Sequence, residues 1–209
     1  MERIDLTKYK NIIFDLGVVL LDIDFNLAAK KFNYLGLNNF SEIYSSFSVS
    51  PFFHNYETGK ISDEEFLKHL GDMFPNKPDN EKILDAWLSI IIGFPIEKIQ
   101  LLNKVSTLCN IFLLSNTNSL HAKKYEALFL EKTKKEFHQL FRKIYYSHDI
   151  GLRKPDIKAY DLILKENNLK ASETLFIDDV RKNLIPAQKL SIKTIHYKDK
   201  MDLSAIFGL

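Results

Sequence analysis

Residues 11–24, NIIFDLGVVLLDID, limit what this chain can fold into more than any other stretch: an apolar run closes on Asp15, a Leu-Gly step follows, and a second apolar run starts at Val18. Ile12, Ile13 and Phe14 carry no polar alternation, which is the pattern of a strand covered on both faces, as in a parallel sheet flanked by helices. Asp15 then stands at the strand's C-terminal end. That is the edge where open parallel sheets bind ligands. An Asp in this position also serves as a simple turn cap, so its meaning depends on what the other strands end in.

With 209 residues, 45% of them hydrophobic, the chain can bury one good core and a smaller second one, which points to a domain plus an insertion. Lys and Arg number 29 against 27 Asp and Glu, for a net charge of +2, and no basic stripe runs along a face. Neither a nucleic-acid nor a membrane partner is expected. The opening MERIDLTKYK lacks an apolar h-region, and the longest later apolar stretch, residues 86–94, is too short to span a bilayer. The expected location is the cytoplasm. Cys109 is the sole cysteine, which excludes an intrachain disulfide, and its place beside an apolar strand suits a buried structural thiol.

After the first strand the pattern changes. Residues 25–35 have apolar positions at helical spacing, 40–47 read as a second short helix, and Ser62-Asp-Glu-Glu65 is a capping box for a helix over 63–73. A further helix over 79–92 sets Ile83, Leu84, Trp87, Leu88 and Ile91 on one face. Residues 25–93 therefore read as a small all-helical bundle. Phe47, Phe52, Phe53, Tyr56 and Trp87 suit its core better than a substrate cage.

From Pro95 the pattern alternates: a helix, a strand over 111–114, a helix from Leu120, a strand over 144–147, a loop over 151–155, and a helix opened by Pro155 through Asn167. Then come strand 174–177, helix 181–190 and strand 194–197, while the Lys-rich stretch 131–143 reads as a solvated helix face. Strands alternating with helices imply right-handed crossovers, hence an α/β fold with a Rossmann-like parallel sheet flanked by helices. The expected division is a core domain of residues 1–24 and 94–209 and a helical cap of residues 25–93.

Asp15, Ser115, Lys154 and the pair Asp178-Asp179 each lie just beyond a different strand, so parallel pairing gathers them at one sheet edge. Carboxylates from two strands suit a hard cation such as Mg²⁺, which takes oxygen ligands. A Ser hydroxyl with free amides at a helix start can hold a phosphate, and a Lys adds a point charge. Singly, each has a plainer use: Ser115 as a helix cap, Lys154 as a loop lysine, the two acids as a helix start favoured by the macrodipole. His54 and His121 lack metal-ligand spacing around them.

With these residues in order, the sequence resembles the haloacid dehalogenase superfamily of phosphohydrolases. The family's four motifs are matched by FDLG at 14–17, LLSNTN at 113–118, the Lys154 of GLRKPD, and FIDD at 176–179, spread over nearly the whole chain. The downstream DID and the ETGKIS of residues 57–62 are similar to bacterial sugar-phosphate phosphatases, including the glucose-1-phosphate phosphatase type. The resemblance implies that Asp15 attacks phosphorus to give an aspartyl-phosphate. It implies Mg²⁺ held by Asp15, the Gly17 carbonyl, Asp179 and Asp178, the last directly or from behind. Ser115, the amides of Asn116, and Lys154 bind the transferring phosphoryl group. The implied substrate is a small phosphorylated metabolite such as a sugar phosphate.

One position departs from the family's pattern. Most of its phosphatases carry an acid/base Asp two residues after the nucleophile, and here that residue is Gly17. A backbone metal ligand survives this change, but a proton donor does not, and losing one costs about 10²- to 10⁴-fold. Asp22, Asp24 and His54 are the available substitutes; the run 18–21, read as extended, carries Asp22 away from Asp15 at about 3.3 Å per residue. A non-catalytic phosphate-binding or regulatory protein of the same fold therefore stands as the alternative. Haloacid dehalogenation, which needs no Mg²⁺, fits poorly with the paired late acids.

Overall fold

The protein is described here by a computed structural model covering residues 3–38, 40–198 and 201–209. In chain order its elements are β1 (Asn11–Phe14), β2 (Asp22–Ile23), α1 (Phe25–Tyr34), α2 (Phe40–Phe47), α3 (Pro51–Glu57), α4 (Asp63–Asp72), α5 (Asn80–Leu88) and β3 (Ile91–Gly93). These are followed by α6 (Ile96–Val105), β4 (Asn110–Ser115), α7 (Ser119–Thr133), β5 (Lys143–Tyr146), α8 (Ser147–Ile150), α9 (Ile157–Glu166), β6 (Thr174–Asp178), α10 (Arg181–Lys189), β7 (Lys193–His196) and α11 (Leu203–Phe207). No helix among the described residues is long and apolar enough to cross a membrane.

Five strands form a parallel sheet in the order β5-β4-β1-β6-β7, as the alternation of strands and helices requires. All four residues of β1 are buried because neighbours cover both its faces. Ile12, Phe14, Leu113 and Ile177 pack on one side with Leu102, Tyr125 and Phe129 of α6 and α7. Ile13, Phe112 and Phe176 pack on the other with Tyr160, Ile163 and Leu184 of α9 and α10. The Cys109 thiol is buried and donates to the Tyr9 carbonyl at 3.2 Å, in keeping with a structural part.

The segment between β2 and β3 departs from the all-helical expectation. The helix expected over 79–92 stops at Leu88, and Ile91–Gly93 pairs antiparallel with Asp22–Ile23. Ile90, Ile91 and Ile92 are β-branched, Gly93 takes φ +141°, and the paired segment supplies backbone partners that a further helical turn lacks. The chain thus leaves the sheet and returns to it along one two-stranded ribbon. Within the insertion, Tyr56 stacks on Phe66 at 3.8 Å between centroids and Phe66 lies 4.9 Å from Trp87. Each such pair adds about 0.5–1.5 kcal/mol beyond its buried area. Phe53, Tyr56 and Trp87 are core residues here, Phe52 is partly buried against them, and the Phe47 side chain lies outside the described residues.

Other boundaries moved for local reasons. The run 18–21 is a compact turn rather than extended: the Leu20 and Leu21 N–H groups both donate to the Leu16 carbonyl, at 2.8 and 2.9 Å, and Val18 sits at φ 65°. The helix expected to open at Pro155 starts at Ile157, with Asp156 capping it by accepting from the Lys158 N–H. The stretch 131–143, expected as one solvated helix face, is α-helical only to Thr133, where Lys134 turns left-handed at φ 59°, and Phe137 and Phe141 beyond it turn into the core. Helices α3, α8 and α11 have seven residues or fewer, too short for a periodic pattern to show.

Gly59 seats α3 against α8. Its φ is +72°, and a Cβ at this position would fall inside the His148 carbonyl oxygen. Gly59→Ala is expected to cost about 1–2 kcal/mol in backbone strain and about 1–3 kcal/mol in overpacking. Thermal melting should fall by several degrees; an unchanged melting temperature would show that the α3–α8 contact is slack.

Candidate active site

The C-terminal ends of the central strands carry the site. Phe14 pairs with Leu113 on one side and Ile177 on the other, and the Asp15 N–H donates to the Ile177 carbonyl at 2.9 Å. Asp15, Ser115 and Asp178 are thereby brought to one edge, all three buried. Lys154 reaches the same point from the loop after α8, its side chain only 2% exposed. Its ammonium donates to Asp15 Oδ1 and, at 2.7 Å, to Asp178 Oδ2.

The loops hold this arrangement by reciprocal hydrogen bonds. The Asn116 side chain donates to the Lys154 carbonyl and accepts from the Lys154 N–H, both at 2.8 Å. Ser147 Oγ accepts from the Thr117 N–H and donates to the Thr117 carbonyl, both at 3.0 Å. Lys154 is therefore held at its backbone by Asn116 and at its ammonium by Asp15 and Asp178. Asn116 contributes more than the backbone amides expected of it.

Asp15, Asp178 and Asp179 form the one set of three potential metal ligands among the described residues, with oxygens within 4.8 Å of one another. Burial raises the Asp15 carboxyl; Lys154 opposes this and Asp178 adds to it. Asp179 is raised for the same two reasons, burial and the charge of Asp178. Burial disfavours the Lys154 ammonium, but the charges of Asp15 and Asp178 outweigh it and leave Lys154 raised and cationic. An all-oxygen set whose members resist holding charge together fits a hard divalent cation.

The two late acids are not equivalent. Asp178 accepts from Lys154, from the Asn183 amide at 3.1 Å on both oxygens, and from the Val180 N–H at 2.7 Å. Four bonds fill the acceptor sites of a carboxylate. Asp179 is less buried, and its carbonyl lies 2.9 Å from His196 Nε2.

Opposite the strand ends, a cavity of about 200 Å³ is roofed in part by the insertion; Gly17, Ser115 and Asn116 line it from below, and Tyr44, Phe53 and Glu57 from above. None of the three substitutes considered for the missing proton donor lines it. Asp22 is exposed on β2, Asp24 caps α1 through the Asn26 N–H at 2.8 Å, and His54 is exposed on another groove, which Arg153, Lys154 and Lys182 also line. His121 packs flat on Trp87 with centroids 4.7 Å apart and contacts its carbonyl at 3.2 Å; burial lowers its pKa to about 4 and keeps it neutral.

Glu57, the first residue of ETGKIS, is the group that sequence reasoning missed. It is 8% exposed, and Arg153 Nη2 lies 2.8 Å from Oε2, off the line of a hydrogen bond. Burial raises its pKa to about 7 against the opposing charges of Arg153, Lys154 and Lys182. Ser50-Pro51, an N-cap followed by a first-turn proline, was the signal for the helix that carries it.

A parallel sheet with a carboxylate nucleophile position, a buried lysine and paired late acids at one edge defines the haloacid dehalogenase-like hydrolases. The profile of that family matches residues 115–197. A D-ribitol-5-phosphate phosphatase of Bacteroides thetaiotaomicron is 30% identical over 193 residues, 92% of this chain and 94% of the relative. A sesquiterpene phosphatase of Aspergillus oryzae is 27% identical over 213 residues, 93% of each. A family enzyme from B. thetaiotaomicron, solved in complex with magnesium and inorganic phosphate, superimposes with a TM-score of 0.84 at 29% identity, covering 95% of this chain and 99% of its own. The chain belongs to the haloacid dehalogenase-like hydrolase family.

Proposed function

We propose that the protein is a Mg²⁺-dependent phosphomonoesterase of a small phosphorylated metabolite, working through an aspartyl-phosphate on Asp15. The observation that carries this reading is the cluster of Asp15, Lys154, Asp178 and Asp179, the first three buried, gathered at the strand ends next to a cavity that the neighbouring Gly17, Ser115 and Asn116 line. Related proteins bearing phosphatase names, and a related structure holding magnesium and phosphate, support it. Asp15, the Gly17 carbonyl and Asp179 are the ligands we assign to the cation. Asp178, its acceptor sites filled, acts by holding Lys154. The bound cation supplies positive charge that keeps the nucleophile ionised and offsets the charge of the phosphate.

Asp15 attacks phosphorus in line while Ser115, the amides after it and the Lys154 ammonium hold the equatorial oxygens, where negative charge is spread in the transition state. We assign residues 25–93 as a cap that excludes water and selects the leaving group, with residues 1–24 and 94–209 as the catalytic core. A cavity of about 200 Å³ suits a sugar or polyol phosphate better than a long prenyl chain.

Phosphate release from a panel of sugar, polyol, aryl and prenyl phosphates, with Mg²⁺ and then with chelator, tests the assignment. Release confined to the Mg²⁺ arm and strongest for the smaller esters is expected. No release from any ester would favour the phosphate-binding alternative that Gly17 keeps open. On the same panel, Phe53→Val in the cavity roof should reorder the substrates without changing the Mg²⁺ concentration needed for half-maximal rate; the reverse result would remove the cap from specificity.

A further inference from the structure

We propose that Glu57 supplies the proton-transfer function absent at Gly17, protonating the leaving oxygen and later activating water. This rests on the phosphatase reading above. The reacting centre has an obvious nucleophile but no conventional proton donor, since the Lys154 ammonium is committed to Asp15 and Asp178. The cavity that adjoins Gly17, Ser115 and Asn116 has one carboxylic acid in its lining, Glu57. A leaving group on a phosphate bound at Ser115 must occupy this cavity, under the α3 end that carries Glu57.

Glu57 is held there from two directions. Gly59, two residues on, packs against the His148 carbonyl, and Arg153, next to Lys154 in the chain, pairs with Oε2. The charged and titratable groups facing its carboxyl are Arg153, Lys154, Lys182 and Tyr44. Despite three cations, burial leaves its pKa at about 7. That value suits a group that must give a proton in one half-reaction and take one in the next.

In the first half, an Asp15 oxygen bonds to phosphorus, the bond from phosphorus to the ester oxygen breaks, and the Glu57 proton moves to that oxygen, releasing the alcohol. In the second, water attacks phosphorus, Glu57 takes its proton, and the bond to Asp15 breaks. Phosphate leaves, Asp15 is again a carboxylate, and Glu57 is again protonated.

The test compares full-length wild type, Glu57→Gln and Glu57→Asp at saturating Mg²⁺, on p-nitrophenyl phosphate and on alkyl phosphates graded by leaving-group pKa. Wild type should show a shallow dependence on leaving-group pKa. Glu57→Gln should lose about 10²- to 10⁴-fold in kcat on alkyl esters. On p-nitrophenyl phosphate it should keep a stoichiometric burst of nitrophenolate, a leaving group that needs no proton, followed by slow turnover for want of a base. Glu57→Asp should recover part of the alkyl activity. Equal loss in burst and alkyl turnover, or a loss confined to KM, overturns the proposal and leaves Glu57 as a brace between α3 and Arg153. Should Glu57→Gln melt below assay temperature, a steep leaving-group dependence in wild type alone overturns it. If wild type releases phosphate from no ester, the phosphatase reading fails first and this assignment with it.

Discussion

Asp15→Asn is expected to abolish phosphate release, by about 10⁴-fold or more, while the protein stays folded. The amide keeps the shape of the carboxylate but cannot form the aspartyl-phosphate. Its effect on the fold should be small because Asp15 is a net burden there: burial and the neighbouring Asp178 both raise its pKa above the ordinary 3.8. A carboxyl raised in the folded state binds more protons folded than unfolded, so its contribution to stability declines as pH rises through that window. Removing it relieves that decline. Lys154 keeps a partner in Asp178 at 2.7 Å. The checks are single-turnover phosphate release and thermal melting at pH 5 and pH 8. Wild-type turnover by the variant would remove Asp15 from the nucleophile's position, and a melting temperature falling further at pH 8 than at pH 5 would contradict the electrostatic account.

How much of the fold and the site was readable in the sequence depended on the range of the interactions. The central strands β1, β4 and β6 were legible because burial on both faces leaves bare apolar runs, and Asp15, Ser115 and the two late acids are simply the polar residues at which those runs end. Lys154 was placed by motif, but its role in bridging Asp15 and Asp178 depends on a side chain folding back through the Asn116 clamp, which no local pattern encodes. β3 was lost to helix because Ile91 fitted a helical face as well as a strand, and the deciding partner, Asp22–Ile23, lies far back in the chain. Glu57 was hidden for the same reason. On its short helix it looks like any surface acid, and only the approach of Arg153 and the roofing of the cavity make it a buried group.

Lys154→Met should be the most disruptive substitution at the site for stability as well as activity. Methionine fills much of the same volume, so the change is mainly electrostatic: two buried carboxylates, Asp15 and the fully enclosed Asp178, lose the cation between them. Breaking a buried pair by deleting one partner costs about 3–5 kcal/mol. In a chain of this size that lowers melting on the order of 10 °C. The loss has a definite pH dependence. Without Lys154, which now holds the Asp15 pKa down, that carboxyl rises further, and the folded state takes up a proton that the unfolded chain does not hold above about pH 4. Protonation relieves the repulsion, so the gap in melting temperature between wild type and variant, both metal-free, should be wider at pH 8 than at pH 5. Phosphate release should fall by about 10²- to 10³-fold or more, the cost of removing one preorganised donor to the transferring group. A pH-independent gap would mean that the carboxylates find another partner when the lysine is gone. Wild-type stability at pH 8 would mean that Lys154 does not hold them at all.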